Sequence, residues 1–197
     1  PELQYLQCDV SIAEECGKLF NWLEAEHPNC NILINNAAIV TRMNFYEDET
    51  AIQHAEAEIN TNLMAPIRLS KLLIPVLERN KNPRIINITT GLAYVPRISY
   101  TYYCATKAAL HSFTQVLRAQ SEGKYIQISE VLMPVVDTPF HEGNPPSMAI
   151  SPEEAVEEMI KGLEKGKDEI RVGKVKMLYL LSRIAPRFAF KTLNRLA

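Results

Sequence analysis

The sequence predicts a doubly wound α/β domain built on a parallel sheet. Short runs of apolar, β-branched residues alternate along the chain with longer segments in which apolar residues recur at helical spacing. The strand-like runs are apolar throughout, which is typical of parallel strands covered on both faces. They also end in polar residues or proline. Because ligands bind beyond the carboxyl ends of the strands in such sheets, we expect these ends to form the functional edge.

The predicted elements alternate along the chain. Residues 1–10 are expected to form a strand, and a helix follows from about Ser11. Residues 31–38 form a second short strand, and residues 39–50 form a loop before a helical region that reaches about Asn80. Further strands are predicted at 84–90, 126–133 and 169–173, and further helices around Tyr103 and Lys107, from Ser151 onward and over 177–197.

The length and the charge balance limit the possible functions. At 197 residues the chain suits one substantial core, so residues 1–197 are interpreted as a single domain. Its 21 Lys and Arg residues nearly balance 23 Asp and Glu residues, which leaves a net charge of −2. That balance gives no overall field that attracts nucleic acid or an anionic membrane. We therefore expect a small-molecule substrate and no nucleic-acid partner.

The cysteines and the hydropathy pattern predict where the protein is found. Cys8, Cys16, Cys30 and Cys104 show no paired spacing typical of a disulfide scaffold, and free thiols suit a reducing compartment. The sequence has no signal peptide and no apolar run of about 18 residues. We therefore expect a cytoplasmic protein without stable membrane insertion.

A tyrosine and a lysine carry the clearest chemical signal. Tyr103 and Lys107 lie in a segment of helical periodicity, one turn apart on one helix face. A nearby ammonium stabilises a phenolate, so Lys107 is expected to lower the pKa of Tyr103 and to let it transfer protons. By itself, this spacing also describes a solvated pair on a helix surface. The preceding strand ends in Thr89 and Thr90, and this hydroxyl cluster favours a reactive site.

These residues resemble a known family. The order Thr90, Tyr103, Lys107 is similar to the active-site segment of the short-chain dehydrogenases/reductases, and segments 91–94 and 103–112 look most like the DltE-like branch. The family has a Rossmann-like fold and interconverts alcohols and carbonyls with NAD or NADP. Its members usually have serine where this chain has Thr90. Threonine keeps the hydroxyl and adds a methyl group.

The resemblance implies a role for each catalytic position. Thr90 is expected to hold the substrate oxygen, and Tyr103 to transfer the proton. Lys107 is expected to lower the pKa of Tyr103 and to bind the nicotinamide ribose. Asn62 matches the residue that anchors a relay water near the lysine. No metal ion is part of this scheme.

The resemblance also implies contacts to NAD or NADP. Asp9 and Val10 match the segment at the adenine ring. Asn35, Asn36, Ala37 and Ala38 match the family's N-N-A-G motif, with Ala38 in place of glycine, and Asn36, Ala37 and Ala38 are the expected cofactor contacts. Tyr103 and Lys107 contact the nicotinamide ribose, and the segment beside the nicotinamide is represented by Pro134, Val136 and Thr138.

One family motif has no counterpart in the sequence. The family begins with a strand and a G-x-x-x-G-x-G turn that binds the pyrophosphate at a helix N-terminus. Because nothing before Asp9 matches it, we expect the chain to lack its N-terminal strand-helix-strand unit, roughly 50 residues. The alternative is a short variant that binds no dinucleotide and acts as a non-catalytic scaffold or a regulatory protein.

Two further expectations concern the substrate and the quaternary structure. The loops expected around Tyr103 are apolar, including a predicted lid at 135–150, which favours a moderately apolar substrate. The helices at 65–77 and 105–117 carry apolar residues on more than one face, so a homodimer or homotetramer is expected. The residues that predict the apolar pocket are Tyr94, Ile98, Tyr100, Phe140, Met148 and Ile150.

Two features have alternative interpretations. His111 lies one further turn beyond Lys107, and packing is preferred over a metal site because no second ligand occurs at suitable spacing. The segment from Lys174 to Arg195 has six cations and no acids between apolar residues. It suits either an interfacial amphipathic helix or, as preferred here, packing on a neighbouring subunit.

Overall fold

The computed structural model describes residues 3–138 and 148–195, so Phe140 and most of the predicted lid lie outside the described residues. Its sheet has four parallel strands in the order β1-β2-β3-β4. The strands are β1 (Ile32–Asn35), β2 (Arg84–Thr90), β3 (Gln127–Met133) and β4 (Glu169–Arg171). The α-helices are α1 (Ala13–Glu26), α2 (Ala51–Ile59), α3 (Ala65–Leu77), α4 (Thr101–Gln120), α5 (Pro152–Glu164), α6 (Val175–Ile184) and α7 (Pro186–Arg195).

The strand register brings the carboxyl ends together. Asn35 at the end of β1 lies opposite Asn87, and Thr90 at the end of β2 lies opposite Met133 at the end of β3. The loops that leave these strands therefore start from the same edge. The predicted parallel sheet is confirmed.

Helices cover both faces of the sheet. Ile85 and Ile86 are neighbours in β2, so their side chains point to opposite faces. Ile85 is buried in a cluster with Leu73 of α3, and Leu117 of α4 packs against it. Ile86 is buried with Ala155 of α5. This arrangement confirms the doubly wound architecture.

The strand predicted over residues 1–10 is wrong for the part that the structure describes. Residues 3–9 form no strand, and the side chains of Leu3 and Tyr5 are 89% and 88% exposed. A strand needs ladder hydrogen bonds to a neighbour, and no described strand lies beside this segment. The apolar pattern alone therefore did not determine its conformation.

The C-terminal segment forms two helices where the pattern predicts one. Helix α6 ends before Ala185, whose backbone is not helical (φ −139°, ψ 64°), and α7 begins at Pro186. A proline disfavours the helical conformation at the residue before it and suits the first position of a new helix. Among the described helices, none combines the length and the apolar character needed to span a bilayer.

Candidate active site

Helix α4 places Tyr103 and Lys107 side by side against the end of β2. The Nζ atom of Lys107 lies 5.8 Å from the centroid of the Tyr103 ring. The same atom donates a hydrogen bond of 2.9 Å to the backbone oxygen of Ile88. Lys107 is only 2% exposed. Lys107 is therefore buried and fixed to the sheet, with the half-buried Tyr103 beside it, and the alternative of a solvated surface pair is wrong.

Burial moves the two pKa values in opposite directions. Desolvation lowers the pKa of Lys107 to about 8, and the carboxylate of Glu130 partly opposes this shift. Desolvation raises the pKa of Tyr103, and nearby Cys104 and Glu58 raise it further. This direction is opposite to the predicted one. The physical reason is the loss of hydration at the phenol, to which the neighbouring negative charges add.

Thr90 presents its hydroxyl at the end of β2. It is 8% exposed, and its Oγ1 atom accepts a hydrogen bond of 3.3 Å from the backbone N–H of Leu92, at the start of a short 3₁₀ turn (Gly91–Ala93). A hydroxyl that accepts in this way still has a proton to donate. Thr90 can therefore hold a substrate oxygen while the turn fixes its orientation.

Asn62 joins two parts of the site. It lies in a π-helical turn (Asn60–Met64) between α2 and α3 and is 0% exposed. Its side chain accepts from the backbone N–H of Ile39 at 2.9 Å and donates to the oxygen of Ile39 at 2.8 Å. It also lies 3.2 Å from the hydroxyl of Thr106 in α4. Asn62 thus connects the loop after β1 to the helix of Tyr103 and Lys107, and its contact with a relay water stays a prediction.

The other predicted cofactor contacts follow β1 and β3. Asn36 and Ala37 are exposed and Ala38 is half-buried. Beyond β3, Val136 forms a parallel bridge with Ile150. The structure therefore places these two loops at the edge that carries Tyr103 and Lys107, together with the half-buried residues Pro134 and Thr138.

Asp9 and Val10 are located differently from the prediction. Asp9 is exposed in a turn before α1, and its carboxylate accepts hydrogen bonds from the N–H and hydroxyl of Ser11 at 2.9 and 2.7 Å. These bonds lower the pKa of Asp9. The oxygen of Val10 accepts from the thiol of Cys16. No described strand brings either residue to the sheet edge, so their adenine contact stays a prediction.

A buried carboxylate beneath Lys107 was not predicted. Glu130, in the middle of β3, is 0% exposed. One of its oxygens accepts from the hydroxyl of Thr89 at 2.5 Å, and the other lies 2.8 Å from Nδ1 of His111. The signal that could have found it is an acid within the apolar run QISEVLM. A buried acid requires nearby cations or donors, and here α4 provides both.

The Glu130 network continues toward β4. His111 packs edge-on against Tyr94, and its hydrogen bond to Glu130 raises its pKa. His111, Glu130 and Glu169 bring possible metal-ligand atoms within 4.8 Å of one another. However, Glu169 is ion-paired with Arg171, and His111 is already bonded to Glu130. We therefore interpret the cluster as a hydrogen-bond network.

Four parallel strands with the half-buried Tyr103 beside the buried Lys107 at their carboxyl edge match the fold class and the pairing that the sequence predicts. The family model for short chain dehydrogenase matches residues 1–148 of this sequence. The chain therefore belongs to the short-chain dehydrogenase family, and the predicted resemblance is confirmed.

Individual relatives agree with this assignment. The chain is 35% identical to the uncharacterized oxidoreductase DltE of Bacillus subtilis (strain 168), over 98% of this chain and 79% of that protein. It is 29% identical to 11-beta-hydroxysteroid dehydrogenase-like 3 of Arabidopsis thaliana, over 95% of this chain. The chain spans only 62% of the length of the Arabidopsis protein.

Solved structures confirm the fold. A short chain dehydrogenase from Burkholderia cenocepacia J2315 in complex with NADP superposes with a TM-score of 0.83 at 24% identity, covering 95% of this chain and 77% of that one. A short-chain dehydrogenase from Sphingobium yanoikuyae in complex with NADPH gives a TM-score of 0.78 at 21% identity, covering 95% and 73%.

Proposed function

We propose that the protein is an NAD(P)(H)-dependent oxidoreductase that interconverts an alcohol and a carbonyl group on a moderately apolar small molecule. The observation that carries this proposal is the half-buried Tyr103 beside the buried Lys107, whose ammonium is bonded to the oxygen of Ile88 at the carboxyl edge of the sheet. Membership in a family of dehydrogenases supports the reaction class. The NADP and NADPH complexes of two fold neighbours support the choice of cofactor.

The chain's own residues account for the proton transfer. In the reductive direction, the hydride for the carbonyl carbon would come from NADH or NADPH when bound. Tyr103 gives its phenolic proton to the carbonyl oxygen, while the Thr90 hydroxyl donates a hydrogen bond to the same oxygen. The raised pKa of Tyr103 keeps the phenol protonated at neutral pH. Lys107 remains mostly charged there and stabilises the phenolate as it forms.

The residues at the edge fit the nicotinamide end of such a cofactor. The ammonium of Lys107 has three protons, and Ile88 is the hydrogen-bond acceptor found for it in the described part of the chain. Its other protons can donate to ribose hydroxyls. The Oδ1 atom of Asn35, at the end of β1, is buried without a partner among the described residues. None of the seven glycines lies in a G-x-x-x-G-x-G spacing, so we assign no residue of this chain to the pyrophosphate.

The proposed substrate surface is smaller than the sequence suggests. Ile98 and Met148 are 66% and 39% exposed, and Tyr100 packs edge-on against Tyr103. Tyr94 instead packs on His111 and Tyr179, away from this group. The proposed moderately apolar substrate therefore depends on Ile98 and Met148, because Tyr100 is only 5% exposed.

We further propose a cytoplasmic homodimer or homotetramer that assembles through α3 and α4. The four cysteines are free thiols, which supports a reducing compartment. Val116 on α4 is 52% exposed and offers apolar surface for a partner. Sedimentation at micromolar concentration tests the assembly, and a monomer at all concentrations would contradict it.

The decisive experiment replaces Tyr103 by phenylalanine, which removes one oxygen and keeps the ring. We expect Tyr103→Phe to lower kcat by about 10²- to 10⁴-fold in a panel of apolar ketones and alcohols followed by NADPH absorbance. Tyr102→Phe is the matched control on the same helix and should keep activity within a few fold.

Titration calorimetry with NADH and NADPH separates chemistry from binding. We expect Tyr103→Phe to bind cofactor nearly as well as the parent protein. If neither the 197-residue chain nor its full-length parent bound NADH or NADPH, the non-catalytic scaffold would replace the proposed enzyme. If Tyr103→Phe kept full turnover, the assigned proton transfer would be incorrect.

A further inference from the structure

Helices α6 and α7 form a basic region in a chain whose overall charge is slightly negative. The segment from Lys174 to Arg195 contains no Asp or Glu, whereas the whole chain has a net charge of −2. The overall balance therefore hides a strong local positive charge. Its six cations are Lys174, Lys176, Arg183, Arg187, Lys191 and Arg195.

An apolar stripe runs along the same two helices. Met177, Leu180 and Ile184 of α6 are 64%, 58% and 82% exposed, and Phe188 of α7 is 61% exposed. Their spacing of three or four residues places the α6 residues on one side of the helix. Side chains of this size are usually buried, so the stripe is a surface that suits a partner.

The opposite side of α6 packs on the protein. A Cβ atom added to Gly91 would lie 3.1 Å from Leu178 and 3.2 Å from Val175, which shows that these two side chains press on the turn after β2. Val175 is only 2% exposed. The stripe of Met177, Leu180 and Ile184 therefore points away from the body of the domain.

Most of the cations beside the stripe are available for a partner. All six belong to exposed residues. Of these six cations, only Lys176 forms an ion pair with a residue in 3–138 or 148–195, namely Glu158 at 3.3 Å. The guanidinium of Arg183 lies over the ring of Tyr179. Five of the six charges therefore meet no acid in the described part of the chain.

The charge distinguishes between possible partners. A second copy of this chain would bring the same acid-free surface against itself, and like charges disfavour that contact. An anionic bilayer offers negative head groups to the cations and an apolar interior to the stripe. We propose that this α6–α7 face, defined by Met177, Leu180, Ile184, Phe188 and the flanking cations, docks the protein on an anionic lipid surface.

The proposed docking face adjoins the segment before Tyr103. The side chain of Asn194 in α7 accepts from the N–H of Ile98 at 2.7 Å and donates to the oxygen of Pro96 at 3.1 Å. Ile98 is itself exposed and apolar. A bilayer on the α6–α7 face would therefore lie near the entrance to the candidate active site.

Co-sedimentation of the purified protein with lipid vesicles tests the docking without measuring activity. We expect binding to vesicles that mix phosphatidylglycerol with phosphatidylcholine, weaker binding as salt is added, and little binding to phosphatidylcholine alone. The double variant Arg187→Glu with Lys191→Glu should bind at least about 25-fold more weakly, since each cation near the surface contributes about fivefold. Ile184→Ser with Phe188→Ser should bind about tenfold or more weakly.

Matched variants elsewhere on the surface control for general charge and hydrophobicity. Lys18→Glu with Lys124→Glu changes two exposed cations, and Ile52→Ser changes a side chain that is 66% exposed. Both should bind vesicles like the parent, and circular dichroism should show the same helical content in all variants.

Three outcomes would overturn the docking proposal. The first is no binding to any vesicle, and the second is equal loss of binding in the control variants. The third is self-association that Ile184→Ser with Phe188→Ser abolishes without any vesicle binding by the parent. That result would assign the α6–α7 face to a second copy of the chain.

Discussion

Two buried carboxylates with different surroundings act on the Tyr103–Lys107 pair, Glu130 on Lys107 and Glu58 on Tyr103. Glu130 and Glu58 are both 0% exposed. Glu130 receives hydrogen bonds from Thr89 and His111 and raises the pKa of Lys107. Glu58 accepts a bond of 2.7 Å from the N–H of Thr41 through Oε1, whereas Oε2 has no partner within the described residues.

This difference determines how the pair titrates. At Lys107, the negative charge of Glu130 partly opposes the effect of burial, and the pKa settles at about 8. At Tyr103, the negative charge of Glu58 adds to burial, so the pKa rises. Lys107 is therefore the first of the two to lose its proton as the pH increases. A nearby carboxylate disfavours the charged form of a buried acid and favours the charged form of a buried base.

The largest expected effect comes from removing the charge of Glu130. Glu130→Gln keeps the shape, replaces one of the two acceptor oxygens by an amide N–H donor and removes the counter-charge of Lys107, so the pKa of Lys107 should fall below its present value. The alkaline limb of kcat/KM should move to lower pH, with about a tenfold loss of kcat/KM at alkaline pH.

The control for this variant is Glu157→Gln, at a carboxylate that is 65% exposed on α5. It should leave the pH profile unchanged. If Glu130→Gln folded normally and kept the parent pH profile, Glu130 would have no part in setting the charge of Lys107.

Replacing Glu58 should have a smaller effect, and this effect should appear in the free energy of unfolding. Burial raises the pKa of Glu58, so the native state keeps its proton at pH values where the unfolded chain has lost it. The resulting stabilisation is complete below the ordinary pKa of a glutamate and is lost as the pH rises through the folded value. Glu58→Gln removes this titration and should raise the free energy of unfolding at neutral pH by about 1 kcal/mol.

Urea denaturation at several pH values measures this change, and Glu56→Gln on the exposed side of α2 is the control. Glu130→Gln should have the opposite sign and lower the free energy of unfolding. If both buried variants changed stability in the same direction, the contrast between the two carboxylates would not hold.

Local patterns predicted much of this site. The apolar run that forms β2 and the periodicity of α4 placed Thr90, Tyr103 and Lys107 correctly, because strand ends and helix faces follow from nearby residues. The Glu130 network could not be predicted in this way. Its bonds join residues 19 and 41 positions apart, from three elements whose contact depends on strand register and helix packing. The direction of the Tyr103 pKa shift depends on burial, and the spacing of the tyrosine and the lysine carries no information about burial.

The smallest expected effect comes from His111, which pairs with Glu130. The hydrogen bond to Glu130 raises the pKa of His111, whose side chain is 14% exposed. Charged His111 therefore contributes stability that is complete below the ordinary histidine pKa and is lost as the pH rises through the folded value.

His111→Asn keeps an N–H donor near the position of Nδ1 but cannot take up a proton. The parent should lose stability as the pH rises from the ordinary histidine pKa through the folded value. Over the same pH range, the free energy of unfolding of His111→Asn should fall by about 0.5 to 1 kcal/mol less. The control is His54→Asn, because His54 pairs with Asp48 at 2.9 Å but is 40% exposed, where an ion pair contributes little. If the free energy of unfolding fell equally with pH in the parent and in His111→Asn, the titrating group would lie elsewhere in the molecule. The role of Glu130 would then be limited to Lys107.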